Sequence, residues 1–203
     1  AAWLHDCGKV ATPEAVVDKG TKLETIYDRI HTVATRFEVL KRDEEIKFLK
    51  KQLKIQKNDS LIGMEKKEAL KKARALYLKK IKQMDDDKLF IEESNFGGEF
   101  MSKERKDKVN KIASYSFKDN GSAKSFLSED EVYNLCISRG TLTPEERKVI
   151  NDHIVVTIEM LEQLPYPKHL RNVPEFAGGH HEKLDGTGYP KGLNHSEMSV
   201  QAK

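Results

Sequence analysis

His180-His181-Glu182-Lys183-Leu184-Asp185-Gly186-Thr187-Gly188-Tyr189-Pro190 packs two adjacent imidazoles, two carboxylates and a glycine-bent loop into eleven positions. Neutral imidazole and ionised carboxylate suit a divalent transition-metal ion, and glycines permit positive φ and close backbone approach. A second cluster stands near the other end, His5-Asp6-Cys7-Gly8-Lys9, whose ammonium suits a phosphate oxygen. Together they are the parts of a metal-dependent phosphate site. Each also has a plainer reading: a buried His-Asp hydrogen bond, paired surface histidines after Gly178-Gly179, and a helix stop. On a helix His5 and Asp6 diverge by about 100°. They therefore share an ion only at the helix's inner edge, or Asp6 bridges two ions. Glu182 is placed to hold the outer nitrogen of one imidazole.

With 203 residues, 34% charged and 37% hydrophobic, the chain has a lean core supply, which implies a compact part and a solvated part. A net charge of +3 does not call for a nucleic-acid polymer as partner but leaves room for a nucleotide-sized anion. Cys7 and Cys136 form neither a metal-ligand pair by spacing nor a disulfide framework, so the expected compartment is the reducing cytoplasm. The chain has no run of about 18 apolar residues and no signal-peptide layout, so no membrane segment is expected. It begins without methionine and with His5 almost at its first residue, which reads as a piece of a larger protein.

Residues 1–10 read as the end of an apolar helix stopped at Gly8, and 23–40 as a helix with one buried face. From Lys41 to Lys82 two amphipathic runs flank Asn58-Asp59-Ser60, with Gly63 near the turn, which predicts an antiparallel helical hairpin. Its lysines are an anion-binding arm or, more plainly, a solvated face. Residues 85–128 look irregular, with Asp85-Asp86-Asp87, Gly97-Gly98 and Asn120-Gly121-Ser122 as turn signals; the aspartates are a charged loop or a cation chelate. Ser128-Glu129-Asp130-Glu131 resembles a capping box, and Thr143-Pro144-Glu145-Glu146 predicts a helix running through His153 to Leu164. A last helix is expected from Val173-Pro174 to the Gly186 loop. His169 and His195 read as exposed.

His5-Asp6-Cys7-Gly8-Lys9 resembles the HDxGK motif, and residues 180–190 the HHExxDGxGYP motif, of the HD-GYP family of cyclic di-GMP phosphodiesterases, a branch of the HD metal-dependent phosphohydrolases. Gly140 to Glu146 with His153, and Lys191-Gly192-Leu193 with Ser199-Val200, are similar to the family's intervening and following segments. The resemblance implies an all-α, HD-type helical domain, incomplete here, over residues 1–40 and 128–203, with 41–127 inserted as a helical hairpin plus irregular stretch. It implies metal ligation by His5, Asp6, His153, His180 and His181, with two or three divalent ions such as iron or manganese. Lys9 and Asp6 are the implied catalytic residues. Lys9, Asp185, Gly186, Gly188, Tyr189 and Pro190 are the implied substrate contacts, Tyr189 being equally readable as a packed core residue.

The implied activity is hydrolysis of cyclic di-GMP to a linear dinucleotide or GMP. The rivals are hydrolysis of another nucleotide phosphate ester, and a catalytically silent binding module whose hairpin mediates a dimer or docks a signalling protein. One ambiguity stays open. Asp6 to His31 spans 25 residues and Asp6 to His153 spans 147, so either histidine offers the middle ligand. The Leu-Thr-Pro-Glu-Glu flank favours His153, and His31 then reads as a duplicated or core histidine. The family also draws ligands from helices before the first motif and after the last, so weak metal binding by this piece alone is expected.

Overall fold

The computed structural model describes residues 2–119 and 122–202, so Asn120 and Gly121 of the expected turn lie outside the described residues. The described chain is helical: α1 (Glu14–Val17), α2 (Ile30–Gln56), α3 (Met64–Asn95), α4 (Lys103–Ala113), α5 (Glu129–Leu135), α6 (Pro144–Asn151), α7 (His153–Glu162) and α8 (Val173–Gly178). Short 3-10 helices cover Cys7–Ala11 and Lys168–Leu170. A two-stranded antiparallel ribbon, β1 (Ser116–Asp119) and β2 (Ser122–Ser125), pairs Ser116 with Ser125 and Asp119 with Ser122. The all-α class expected from the sequence holds, with this ribbon as its one small addition among the described residues.

The chain packs as two units, Ala1–Lys19 with Leu142–Lys203, and Gly20–Thr141. These packing boundaries fall at 19/20 and 141/142. The reason is that Leu23, Val33, Phe37 and Leu40 share one core with Phe90, Phe126 and Leu135. Phe37 and Phe126 meet edge to face at 4.5 Å.

Within the second unit, polar residues tie segments that apolar packing alone would leave loose. Asn95, at the end of α3, accepts the Leu23 N–H at 2.8 Å through Oδ1 and donates to Asp28 Oδ2 at 2.9 Å. Lys22 is buried, and its ammonium donates to the carbonyls of Leu135 at 3.0 Å and Ile137 at 2.9 Å. Residues 23–29 are not helical as expected. Asp28 Oδ1 accepts the Ile30 N–H at 2.9 Å, and that local bond starts α2 at Ile30.

The three aspartates at 85–87 also depart from expectation, because they lie inside α3 rather than in a loop. Asp85 pairs with Lys41 across the hairpin at 2.5 Å. Asp87 is buried and accepts the Tyr115 hydroxyl at 2.7 Å and the Gln83 amide at 3.1 Å. Partners distant in sequence thus override aspartate's poor helix propensity. Continuous α3 and the 11-residue α4, N-capped by Ser102, replace much of the irregular stretch read over 85–128.

In the first unit, Thr143 caps α6 with a full capping box, its hydroxyl accepting the Glu146 N–H while Glu146 accepts the Thr143 N–H. Lys19 is buried against the Glu146 carboxylate at 2.8 and 2.9 Å. The helix expected to run unbroken from Thr143 is interrupted at Asp152, so that His153 opens a separate helix. The N-terminal segment is not an α-helix either. Its bonds run three residues back, Cys7 to Leu4 and Lys9 to Asp6, which is 3-10 geometry.

Candidate metal centre

Gly8 sets the position of the first motif. Its N–H donates to Thr157 Oγ1 at 2.9 Å, and a β-carbon there would stand 2.0 Å from the His153 carbonyl oxygen and 2.6 Å from Thr157 Oγ1. The 3-10 helix therefore lies with its backbone directly on α7. Thr157 follows His153 by one turn on the same face, so the contact that seats Gly8 also sets the motif beside His153.

α8 ends at Gly178, earlier than expected, so His180 and His181 sit in a turn rather than on a helix. Both glycines at this end are closely packed: a β-carbon on Gly178 would meet Ile158 at 2.7 Å and one on Gly179 would meet Ala202 at 2.9 Å.

Asp6 is the hub. Its Oδ1 lies 3.2 Å from His153 Nε2 and 3.6 Å from His180 Nε2, and its Oδ2 lies 3.3 Å from His5 Nε2 and 2.7 Å from Lys9 Nζ. Asp6, His153, His180 and His181 each offer one ligand atom, all within 4.8 Å of one another. The rings of His153 and His181 meet edge to face at 5.2 Å, and those of His180 and His181 are 4.1 Å apart. His5 stands at the rim, its ring 4.7 Å from that of His180 and its Nε2 toward the other Asp6 oxygen. His31 is an exposed residue in the first turn of α2, in the second unit. His169 and His195 are exposed.

Three of the imidazoles are oriented alike. The Nδ1 of His5 bonds the Ala2 carbonyl at 2.8 Å, that of His180 bonds the Ala177 carbonyl at 2.6 Å, and that of His153 makes a short bond to the Ile150 carbonyl. A carbonyl can only accept, so Nδ1 carries a proton, and in the neutral ring the lone pair is then on Nε2. Glu182 does not fill this role, contrary to the sequence reading. Its carboxylate accepts the N–H groups of Lys191 at 2.7 Å and Leu193 at 2.9 Å, tying both ends of the glycine loop together.

The loop is built around that tie. A β-carbon on Gly188 would stand 2.3 Å from the Lys183 nitrogen, and Gly186 has φ +76°. Asp185 Oδ1 accepts the Thr187 N–H at 2.9 Å and hydroxyl at 2.6 Å, so its carboxylate is engaged within the turn. These bonds hold its pKa below the ordinary value. The Tyr189–Pro190 peptide bond is cis. Tyr189 stacks on His181 at 4.7 Å, 15° from parallel, and its N–H donates to the His181 carbonyl at 3.2 Å.

The electrostatics favour a cation. Burial alone would raise the Asp6 carboxyl, but the Lys9 ammonium, hydrogen-bonded to it, overrides burial with help from His5 and His153 and holds the pKa below the ordinary value. Burial pushes the His181 imidazole down, and His180 and His153 push the same way, which favours the neutral form that can ligate. Burial, then the Asp6 charge, raises the Tyr189 hydroxyl.

Asp6 Oδ1 and His153 Nε2 are both buried without a hydrogen-bond partner although they face each other. A buried carboxylate oxygen and an imidazole nitrogen aimed at one point are costly unless a proton or a metal cation lies between them, and with His180 and His181 beside them the donor set fits a metal ion. Beside it a cavity of about 490 Å³ is lined by Ala2, His5, Phe176, His180 and Gln201, a volume in the range of small-molecule sites.

Residues 128–203 match the HD domain family. Over 64 residues, 32% of this chain and 13% of the relative, the chain is 38% identical to a 3'3'-cGAMP-specific phosphodiesterase of Vibrio cholerae serotype O1. It is 35% identical over 66 residues to a cyclic di-GMP phosphodiesterase of Thermotoga maritima, covering 32% of this chain and 18% of that one. A probable cyclic di-GMP phosphodiesterase of Vibrio cholerae is 37% identical over 75 residues, 34% of this chain and 17% of the relative. The chain thus spans less than a fifth of the length of each of these relatives. No solved structure matches. The tandem histidines, the glycine-tyrosine-proline loop and His153 all lie within the segment that matches the HD domain family, and Asp6 joins them in one cluster.

Proposed function

We propose that the chain supplies the catalytic centre of a metal-dependent phosphodiesterase that opens cyclic di-GMP to a linear dinucleotide or GMP. The observation that carries this is the convergence of Asp6, His153, His180 and His181 on one point, with two of the facing atoms buried and unpaired. The names of the three relatives, all phosphodiesterases of cyclic dinucleotides, supply the substrate class.

In this reading His153, His180, His181 and Asp6 would hold the metal, with His5 at the rim of the site, and two or three divalent ions such as iron or manganese would be taken up. When bound, such ions act as Lewis acids toward a phosphoryl oxygen and acidify water. The chain's own residues do the rest. Asp6 keeps its negative charge at neutral pH and turns one oxygen to His153 and the other to His5. Lys9, half-exposed on Asp6 Oδ2, is free to turn its ammonium to a phosphate oxygen. The Tyr189 ring braces His181, and the Glu182 tie fixes the loop carrying Gly186, Gly188 and Pro190 at the edge of the cleft. The 490 Å³ cavity beside His5 and His180 receives part of the dinucleotide.

The phosphohydrolase domain is read as residues 1–40 and 128–203, with 41–127 inserted. We place the protein in the cytoplasm; both cysteines are free thiols. Among the described residues no helix is long and apolar enough to cross a membrane.

The test is product analysis by chromatography after incubation with Mn²⁺ or Fe²⁺ against cyclic di-GMP, 3'3'-cGAMP and other nucleotide phosphate esters. Metal-dependent formation of a linear dinucleotide or GMP supports the reading. Calorimetric binding of cyclic di-GMP without turnover in the metal-loaded protein replaces it with the regulatory module.

A further inference from the structure

The net charge of +3 conceals a segregation. Residues 47–82 carry thirteen lysines and arginines against three carboxylates, a net charge of +10, and the rest of the chain is therefore acidic at −7. This segment is the last ten residues of α2, the connecting turn and the first nineteen residues of α3. Whereas the remaining parts of these helices enter the core of the second unit through Phe37, Leu40, Phe90 and Ile91, the segment buries only Ala73. It is an arm that packs on itself, with Phe48 stacked on Tyr77 at 4.8 Å.

A merely solvated hairpin balances its charges by pairs one turn apart. Here, among the described residues, only Lys47, Lys72 and Lys80 of the arm have carboxylate partners within 4 Å. The uncompensated lysines surround exposed apolar side chains. At the tip Ile62 is 78% and Met64 80% exposed. Along α2, Ile46, Leu49 and Leu53 recur at helical spacing and are all exposed, with Lys50, Lys54 and Lys57 beside them.

We propose that this arm docks on the surface of an anionic phospholipid bilayer, with Ile62 and Met64 entering the headgroup–acyl boundary and the lysines meeting lipid phosphates. Basic charge interleaved with exposed aliphatic side chains is the chemistry that such an interface recognises. Two other occupants fit less well. A second copy would bring one +10 arm against another. A nucleic acid would meet lysine point charges with a single arginine, Arg74, and its bases would find no free ring to stack on, because Phe48 and Tyr77 occupy each other.

Co-sedimentation of the full chain with equimolar phosphatidylglycerol–phosphatidylcholine vesicles, with pure phosphatidylcholine vesicles as reference, tests the proposal. Expected are binding to the anionic vesicles that falls with added salt and no binding to the neutral ones. Exchanging Lys50, Lys54 and Lys57 for glutamine should weaken binding about a hundredfold. Ile62→Ser with Met64→Ser should weaken it about tenfold, with the helical circular dichroism unchanged. Equal partition into both vesicles, no partition at low salt, full binding by the triple lysine variant, or tighter binding to a short DNA duplex than to the anionic vesicles at the same salt would each overturn it.

Discussion

Gly8 rests its backbone on Thr157, N–H to Oγ1 at 2.9 Å across 149 residues of sequence, and this contact brings the Asp6 carboxylate to the mouth of α7. No β-carbon fits there. Gly8→Ala is therefore expected to destabilise the first unit by about 2–3 kcal/mol through overpacking. Thr157→Val, which strands the Gly8 N–H, should cost about 1–3 kcal/mol. Urea unfolding with parallel metal analysis checks both, and an unchanged midpoint for Gly8→Ala would contradict the packing argument.

His153→Ala removes the buried imidazole that faces Asp6 Oδ1 and should lower bound metal per chain, whereas His31→Ala should leave it at the wild-type level. Elemental analysis of the purified variants gives the answer. Full metal in His153→Ala with loss in His31→Ala would transfer the ligand role to His31.

Glu182→Ala frees the N–H groups of Lys191 and Leu193 from charge-assisted bonds that contribute about 1.5–3 kcal/mol each. Amide hydrogen exchange of residues 183–193 should speed up while metal content stays unchanged. A loss of metal with the loop still protected would instead make Glu182 a support for an imidazole.

Lys22 supplies a pH signature outside the metal centre. Burial, chiefly, with repulsion from Arg105 and Lys106, lowers its pKa from 10.5 to about 8, against the opposing pull of Cys136. Between these values the unfolded chain binds the proton and the folded chain has released it, so stability rises with pH across that window. Below about pH 8 both states are protonated and the burial penalty is full. Denaturant unfolding followed between pH 8 and 10.5 should show a rise that is smaller in Lys22→Met; an identical slope in the variant would assign the effect to another group.

Much of the centre is readable before any fold is known, because His5-Asp6 and His180-His181 are residue types that bind metals at restrictive spacing. The capping boxes at Ser128 and Thr143 are equally legible, being closed within three residues. What stays hidden depends on partners remote in sequence or on backbone. Thr157 carries no local sign of its bond to Gly8, although its place one turn after His153 is a signal of shared facing. The carbonyls of Ile150 and Ala177, which orient His153 and His180, have no side-chain signature at all. Glu182 misleads because its partners are created only when the chain turns back at Gly186. Asp85-Asp86-Asp87 reads as a loop until Lys41, Gln83 and Tyr115 are found around it.

The two halves of the candidate metal centre are separated by the whole of the second unit in the chain, so bringing Asp6 to His153 in an unfolded polymer means closing a very long loop. That unit shortens the path itself. Lys22 reaches Leu135 and Ile137 through its ammonium and Asn95 through its N–H, while Gly97 lies against Gly140, so its entry and exit strands are pinned to one another once it is folded. With residues 20–141 folded as such a clasp, the flanking segments that carry the histidines have a far shorter loop to close.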